Sequence, residues 1–256
     1  MNFESFRAEW EAWRAGWEQW LTRPHGWLSA VALNWLDETP RRYPGIPGRW
    51  WQKGTELLVD PACGRMTFDG VDFTSTRVLN LADGPDDQRV TAGELEIGIT
   101  YSGGYHLITY DPNAPARQNF AGVAVFDPDP AFVITGHFQA EPRELSLGTV
   151  GSRDQAYESP GTVRFEYGGA PYDLRVTMSN GRQVAVFADA TSGARTYPAG
   201  RALDIPAAAA DGRVTLDFNR AVNLPCAFGD FFPTCPTPPA GNRYPFAIEA
   251  GEQSPV

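Results

Sequence analysis

Hydrophobic positions along this chain follow two periods, one near the start and another over the remainder. Phe3, Phe6, Trp10, Trp13, Trp17 and Trp20 recur at alternating intervals of three and four, which predicts a helix with six aromatic rings along one stripe. Pro24 closes it, so the helical segment is placed at residues 1–24. Arg7 with Glu11 and Arg14 with Glu18 form i,i+4 pairs, which puts these four residues on the wetter side. A stripe this aromatic needs a cover, and packing against the β structure of the same chain is expected, with a homodimer seam as the other use.

From His25 the period shortens. The apolar run Leu28 to Leu36 reads as a strand, and Tyr43 to Trp51 as a Pro- and Gly-bearing loop ending in a Trp pair. Short alternating runs then fill Leu57 to Tyr110, broken by Gly, Asp and Pro turns. Further strands are predicted at Val123 to Phe126, Phe132 to Phe138, Glu144 to Val150, Thr162 to Tyr167, Tyr172 to Met178 and Gln183 to Asp189. Asn180-Gly181 is a two-residue hairpin signal. Strands at turn spacings of about 8 to 12 residues predict a mainly β fold, an antiparallel barrel or sandwich with the aromatic helix packed on it. One domain is expected over residues 1–256: the helix at 1–24, a β meander at 25–183 and a polar, site-bearing segment at 184–252.

Composition narrows the function classes. With 21 Lys and Arg against 31 Asp and Glu the formal charge is −10, which argues against phosphate backbones or anionic lipid as partners. No run reaches the roughly 18 apolar residues that a membrane helix needs, and Glu4, Glu9, Glu11 and Glu18 stand where a signal peptide would be basic and then apolar. A cytoplasmic protein is expected. Cys63, Cys226 and Cys235 form no C-x-x-C pair, so reduced thiols are expected, with a Cys226–Cys235 bridge as the alternative. His25, His106 and His137 show no ligand spacing, and no nucleotide fingerprint or nucleophile elbow occurs; no metal and no cofactor are expected.

Candidate chemistry gathers in the last third. Asp189, Tyr197, Arg201 and Asp217 are the candidate catalytic residues, and Asn219, Asn223, Glu249, Trp27 and His25 the candidate substrate-binding ones. A carboxylate among apolar residues has its pKa raised toward working pH and suits general acid or base duty, with Arg201 and Tyr197 holding an anionic group. Alternation places Asp217 and Asn219 on one strand face. The function expected is a small-molecule-binding β protein, of cofactor-independent isomerase, cyclase, lyase or hydrolase type if it is an enzyme. The alternative is a non-catalytic binding or scaffold protein, in which Arg201 pairs with Asp189 or Asp217 in a satisfied interior network.

The chain also resembles an uncharacterised bacterial and archaeal family, domain of unknown function 1684. The resemblance rests on His25-Gly26-Trp27-Leu28, on Phe187 to Gly193 with Thr196-Tyr197 and Gly200-Arg201, and on Leu216 to Ala221. It continues through Pro225 to Phe228, Cys235 to Pro239 with Asn242-Arg243, and Ala250-Gly251-Glu252. Leu107 to Tyr110, Val222 and Leu224 depart from the family pattern, which marks a divergent member. The resemblance implies no particular reaction.

Overall fold

The computed structural model of the protein describes residues 3–79, 81, 88–151 and 154–255. The chain clusters into two compact units, one of Met1–Glu18 with Gly122–Val256 and one of Gln19–Ala121. Helix α1 (Phe3–Leu21) opens the chain.

Among the described residues, the unit of Gln19–Ala121 has nine short strands. They are β1 (Ala30–Trp35), β2 (Arg49–Lys53), β3 (Glu56–Asp60), β4 (Met66–Phe68) and β5 (Val71–Phe73). Then come β6 (Arg77–Leu79), β7 (Gln88–Ala92), β8 (Leu95–Tyr101) and β9 (Tyr105–Tyr110). Six of them form a sheet in the order β1-β9-β8-β7-β4-β5, and β2-β3-β6 form a second. Their apolar positions meet in a core around Trp50, Leu57, Val59, Ile97 and Leu107.

The other unit carries one seven-stranded sheet, β15-β10-β11-β12-β13-β14-β16. Its strands are β10 (Val133–Gly148), β11 (Asp154–Tyr167), β12 (Ala170–Ser179) and β13 (Arg182–Phe187), followed by β14 (Arg201–Asp204), β15 (Arg213–Asp217) and β16 (Val222–Asn223). Every ladder pairing between strands in the three sheets is antiparallel. Among the described residues no sheet closes on itself, so the open, sandwich-like form of the expected β fold holds and the barrel does not. Val163, Phe165, Leu174, Leu216 and Phe218 fill the core of this unit, with Phe187 edge-on to Phe218 at 5.3 Å.

One pair of expected strands merges, and one expected turn holds. The separate strands at Phe132 to Phe138 and Glu144 to Val150 are one long strand, β10, carried past Pro142 by a register shift against β11 between Ala140 and Arg143. A proline donates no ladder bond, and a bulge is where a sheet tolerates one. Asn180 and Gly181 both take positive φ, 47° and 72°, the turn that joins β12 to β13 as their sequence demands.

The aromatic stripe of α1 is rotated from its expected position. Phe3 and Trp20 are 52% and 37% exposed, whereas Trp10, Arg14 and Leu21 are buried. The covered face therefore runs through Trp10, Arg14 and Trp17, a helical spacing in which a charged residue replaces one ring. The reason is a carboxylate on the far side of the contact.

Candidate functional site

Arg201 begins β14 directly after Gly200, and the side chains of Arg201 and Asp189 are 1% and 0% exposed. Nη2 donates to Asp189 Oδ2 at 2.6 Å and to the Ile248 carbonyl at 2.9 Å. Nη1 donates to the carbonyls of Ala250 and Glu252. Asp189 Oδ1 accepts from the Thr191 amide at 2.6 Å and from its hydroxyl at 2.5 Å. Burial pulls the Arg201 guanidinium down from its ordinary value, and Asp189 opposes that pull. Both carboxylate oxygens are occupied, and one side chain ties down three carbonyls of the 248–252 segment.

Glu252 is a second buried carboxylate in the same network. Oε1 accepts from Arg14 Nη1 at 2.5 Å and from the Trp17 indole at 2.9 Å, and Oε2 accepts from the Asn223 amide at 2.6 Å. Arg14 also donates to the Val123 carbonyl at 3.2 Å, and the Trp10 indole donates to the Asn219 carbonyl at 2.8 Å. Helix α1 is thus held by directed bonds as well as by apolar contact. The expectation that Arg14 lies on the wetter side is corrected here: its i,i+4 partner Glu18 is retained, but the guanidinium faces inward to Glu252.

Two glycines let the backbone reach these charges. Gly200 has φ +96°, and a Cβ there would lie 2.5 Å from the Phe187 carbonyl oxygen. Gly251 has φ +77°, and a Cβ there would lie 2.5 Å from the Ala221 carbonyl oxygen. Each glycine immediately precedes a buried charged residue, Arg201 or Glu252, so space and conformation both restrict the position.

The remaining candidate residues divide. Asp217 does not share a strand face with Asn219, because β15 ends at Asp217 and the chain turns into the 3-10 segment Phe218–Arg220. Asp217 caps that turn through Asn219 N at 3.2 Å, bonds Asn219 Nδ2 at 2.9 Å, and lies 3.0 Å from Arg220 Nε. Asn219 also clamps Asp129 from both sides, accepting from its amide at 2.9 Å and donating to its carbonyl at 3.0 Å. Asn223 donates through Nδ2 to the Gln253 carbonyl. Asn242, fully buried, bridges the backbones of Arg175 and Val186. Tyr197 donates to the Cys226 carbonyl at 2.9 Å, and burial pushes its phenol up to about 12.

His25 and Trp27 belong to the other unit. His25 Nδ1 lies 3.2 Å from Glu96, and Nε2 lies 2.9 Å from the Glu94 carbonyl. Trp27 packs edge-on to Trp20 at 4.7 Å. Among the described residues no three His, Cys, Asp or Glu side chains gather as a metal site requires, and no helix is long and apolar enough to cross a membrane.

Beside the network lies an open cleft of about 640 Å³. Arg195 and Glu249 form one wall, paired at 2.5 Å and each about half exposed. The Arg195 guanidinium stacks over Phe126 at 4.3 Å, Phe3 and Arg7 enter from α1, and Asp127, Asp129 and Gln253 add to the polar lining. Of the sequence-selected residues only Glu249 lines this cleft. Arg195 was not among them, and no local motif distinguishes it from the other surface arginines.

An open antiparallel β protein with a tryptophan-bearing helix bonded to a buried Arg–Asp and Arg–Glu network is the class that this fold and site define. The chain belongs to the family described as protein of unknown function (DUF1684), whose profile matches residues 118–253. No curated protein matches it. An uncharacterised protein of Haloarcula marismortui, solved in solution by NMR, is similar at 31% identity, over 54% of this chain and 79% of that one, with a TM-score of 0.45.

Proposed function

We propose that the protein binds a small molecule in the cleft beside Arg195 and Glu249, and that the Asp189–Arg201–Glu252 network is the scaffold holding one wall of that cleft. The observation that carries this reading is the division of labour between the two arginines. Arg201 has both terminal nitrogens committed to Asp189 and three carbonyls, while Arg195 is half exposed on a phenylalanine face with an acid beside it. A guanidinium stacked on one ring can stack a second planar group on its other face, and the neighbouring carboxylates supply acceptors. The ligand class that fits is a planar molecule with at least one polar substituent.

An acid–base reaction is the second reading, and the carboxylates in place for it are Asp127, Asp129 and Glu249, which line the cleft. Ligand-observed NMR with planar aromatic acids and amines of fragment size tests binding. Fragments should contact the wild-type protein and weaken at least about tenfold in Arg195→Ala, with the unfolding midpoint little changed, because exposed pairs contribute about 0 to 1 kcal/mol. Fragments that bind Arg195→Ala as tightly as wild type would contradict the assignment.

A further inference from the structure

The charges that line the cleft divide into those already committed and those that are not. Arg195 and Glu249 hold each other at 2.5 Å, and Asp129 Oδ1 accepts from the Ala131 amide at 2.9 Å. Arg7 and Asp127 line the same cleft without such partners. The Arg7 guanidinium lies over the Phe3 ring at 5.4 Å, and among the described residues no acid pairs with it, Glu11 included. Asp127 is exposed, and its carboxylate has neither a hydrogen bond nor an ion pair among the described residues. One cation and one anion thus border a single space without neutralising each other.

Both charges are carried on backbone that one buried residue holds in place. Asn219, 1% exposed, accepts the Trp10 indole on its carbonyl at 2.8 Å, and Trp10 lies about one helical turn after Arg7 on α1. The Asn219 side chain accepts from the Asp129 amide at 2.9 Å and donates to the Asp129 carbonyl at 3.0 Å, two residues beyond Asp127. On the other flank the Phe126 amide donates to the Gly251 carbonyl at 3.0 Å, and Pro128 is buried. The backbone of Asp127 is therefore pinned before and after it, and the segments carrying the two charges keep fixed stations relative to each other. Charges placed before a ligand arrives cost little ordering when it binds.

We propose that the cleft takes a zwitterion, an α-amino acid with a planar side chain: its carboxylate on Arg7, its ammonium on Asp127, and its side chain on the open face of the Arg195 guanidinium. This rests on the reading of the cleft as a small-molecule site, and it narrows the planar ligand to one that carries both charges. Arg7 offers a carboxylate a fork of N–H donors, and Asp127 accepts from an ammonium. Arg195 is already held over Phe126 at 4.3 Å, which leaves its other face for the planar group. A planar acid alone would leave Asp127 without a cation and set its own charge among Asp127, Asp129 and Glu249. A planar amine alone would leave Arg7 unanswered. The volume of about 640 Å³ lies within the range of small-ligand sites.

The experiment titrates the full chain, and its Arg7→Ala, Asp127→Asn and Arg195→Ala variants, with three ligands by ligand-observed NMR. The ligands are L-tryptophan, tryptamine, which lacks the carboxylate, and indolepropionate, which lacks the ammonium. Tryptophan is expected to bind at least about tenfold tighter than either analogue, the scale of one hydrogen bond to a charged group. Arg7→Ala should reduce tryptophan to the affinity of tryptamine and leave tryptamine unchanged. Asp127→Asn should reduce it to that of indolepropionate and leave that analogue unchanged. Tryptophan that fails to bind at millimolar concentration, analogues that bind the wild type as tightly as tryptophan, or equal weakening of all three ligands by either variant would overturn the proposal. If the analogues then still weaken in Arg195→Ala, the cleft remains a binding site and the zwitterion alone fails; if Arg195→Ala alters none of the three ligands, the reading of the cleft fails with it.

Discussion

Arg201 and Glu252 each follow a glycine that no other residue type can replace without strain, and this is the most specific local requirement of the network. A methyl group at Gly200 or Gly251 meets a backbone carbonyl oxygen and also opposes the positive φ. Gly200→Ala and Gly251→Ala are each expected to cost more than about 1 kcal/mol in urea unfolding, and more than Gly54→Ala. Gly54 is the fitting control, because its φ is +61° but its Cβ would meet nothing within 4 Å. Equal costs at the three positions would show that the close approach contributes nothing. The sequence already displayed Gly-Arg and Gly-Glu among the residues that carry the family resemblance. It did not display which acid Arg201 meets, because that depends on the register that pairs Phe187 with Arg201 across β13 and β14. Asp189 lies two residues beyond that pairing, whereas Asp217 is drawn off as the cap of a 3-10 turn.

At the scale of elements, α1 docks by a mixed face. Its periodicity was legible, and so was its need for a cover, but rings alone gave the wrong rotation because Arg14 is apolar in neither composition nor role. Only the far-off Glu252, 238 residues along the chain, makes an inward arginine favourable. Arg14→Met leaves that carboxylate buried with its cation removed and is expected to cost about 3–5 kcal/mol. Trp13→Ala is expected to cost less, since Trp13 is half-buried, outside the indole hydrogen bonds, and in contact with the Arg220 guanidinium at 5.6 Å. Reversed costs in denaturant unfolding would restore the all-aromatic face.

The loops holding the cysteines add a pH signature. Burial pushes Tyr157 up to about 12 from 10.0 in the unfolded chain, and Tyr197 behaves alike. Above pH 10 the unfolded chain releases these protons first, so it binds fewer protons than the native state and stability falls as pH rises. The contribution is present in full below about pH 10 and is lost through about pH 12. Urea midpoints should decline across that window, and the decline should be shallower in Tyr157→Phe than in the wild type; parallel declines in the two proteins would contradict the assignment to Tyr157.

For the molecule as a whole, the family profile covers residues 118–253, and the buried charge network lies inside it apart from its α1 members. Arg14 comes from α1, outside the matched stretch, yet it completes the shell of Glu252. Strand content, the antiparallel connections and the Asn180-Gly181 hairpin were readable from alternation and turn chemistry, which are local signals. The cleft was not, because Phe3, Phe126, Arg195 and Glu249 are brought together by the fold and share no sequence period. Polar residues crowded into a final third are an equally good sign of architecture and of chemistry until their partners are known. Here Asp189 and Arg201 satisfy each other.

The most direct measurement of the scaffold claim is the unfolding free energy of Asp189→Asn, Arg201→Met and the double variant. Each single change is expected to cost about 3–5 kcal/mol, because it leaves a buried charge without its counterpart, and the double change is expected to cost less than their sum. Single variants that unfold within about 0.5 kcal/mol of the wild type would contradict it, and would return Asp189 and Arg201 to the list of groups free to act on a ligand.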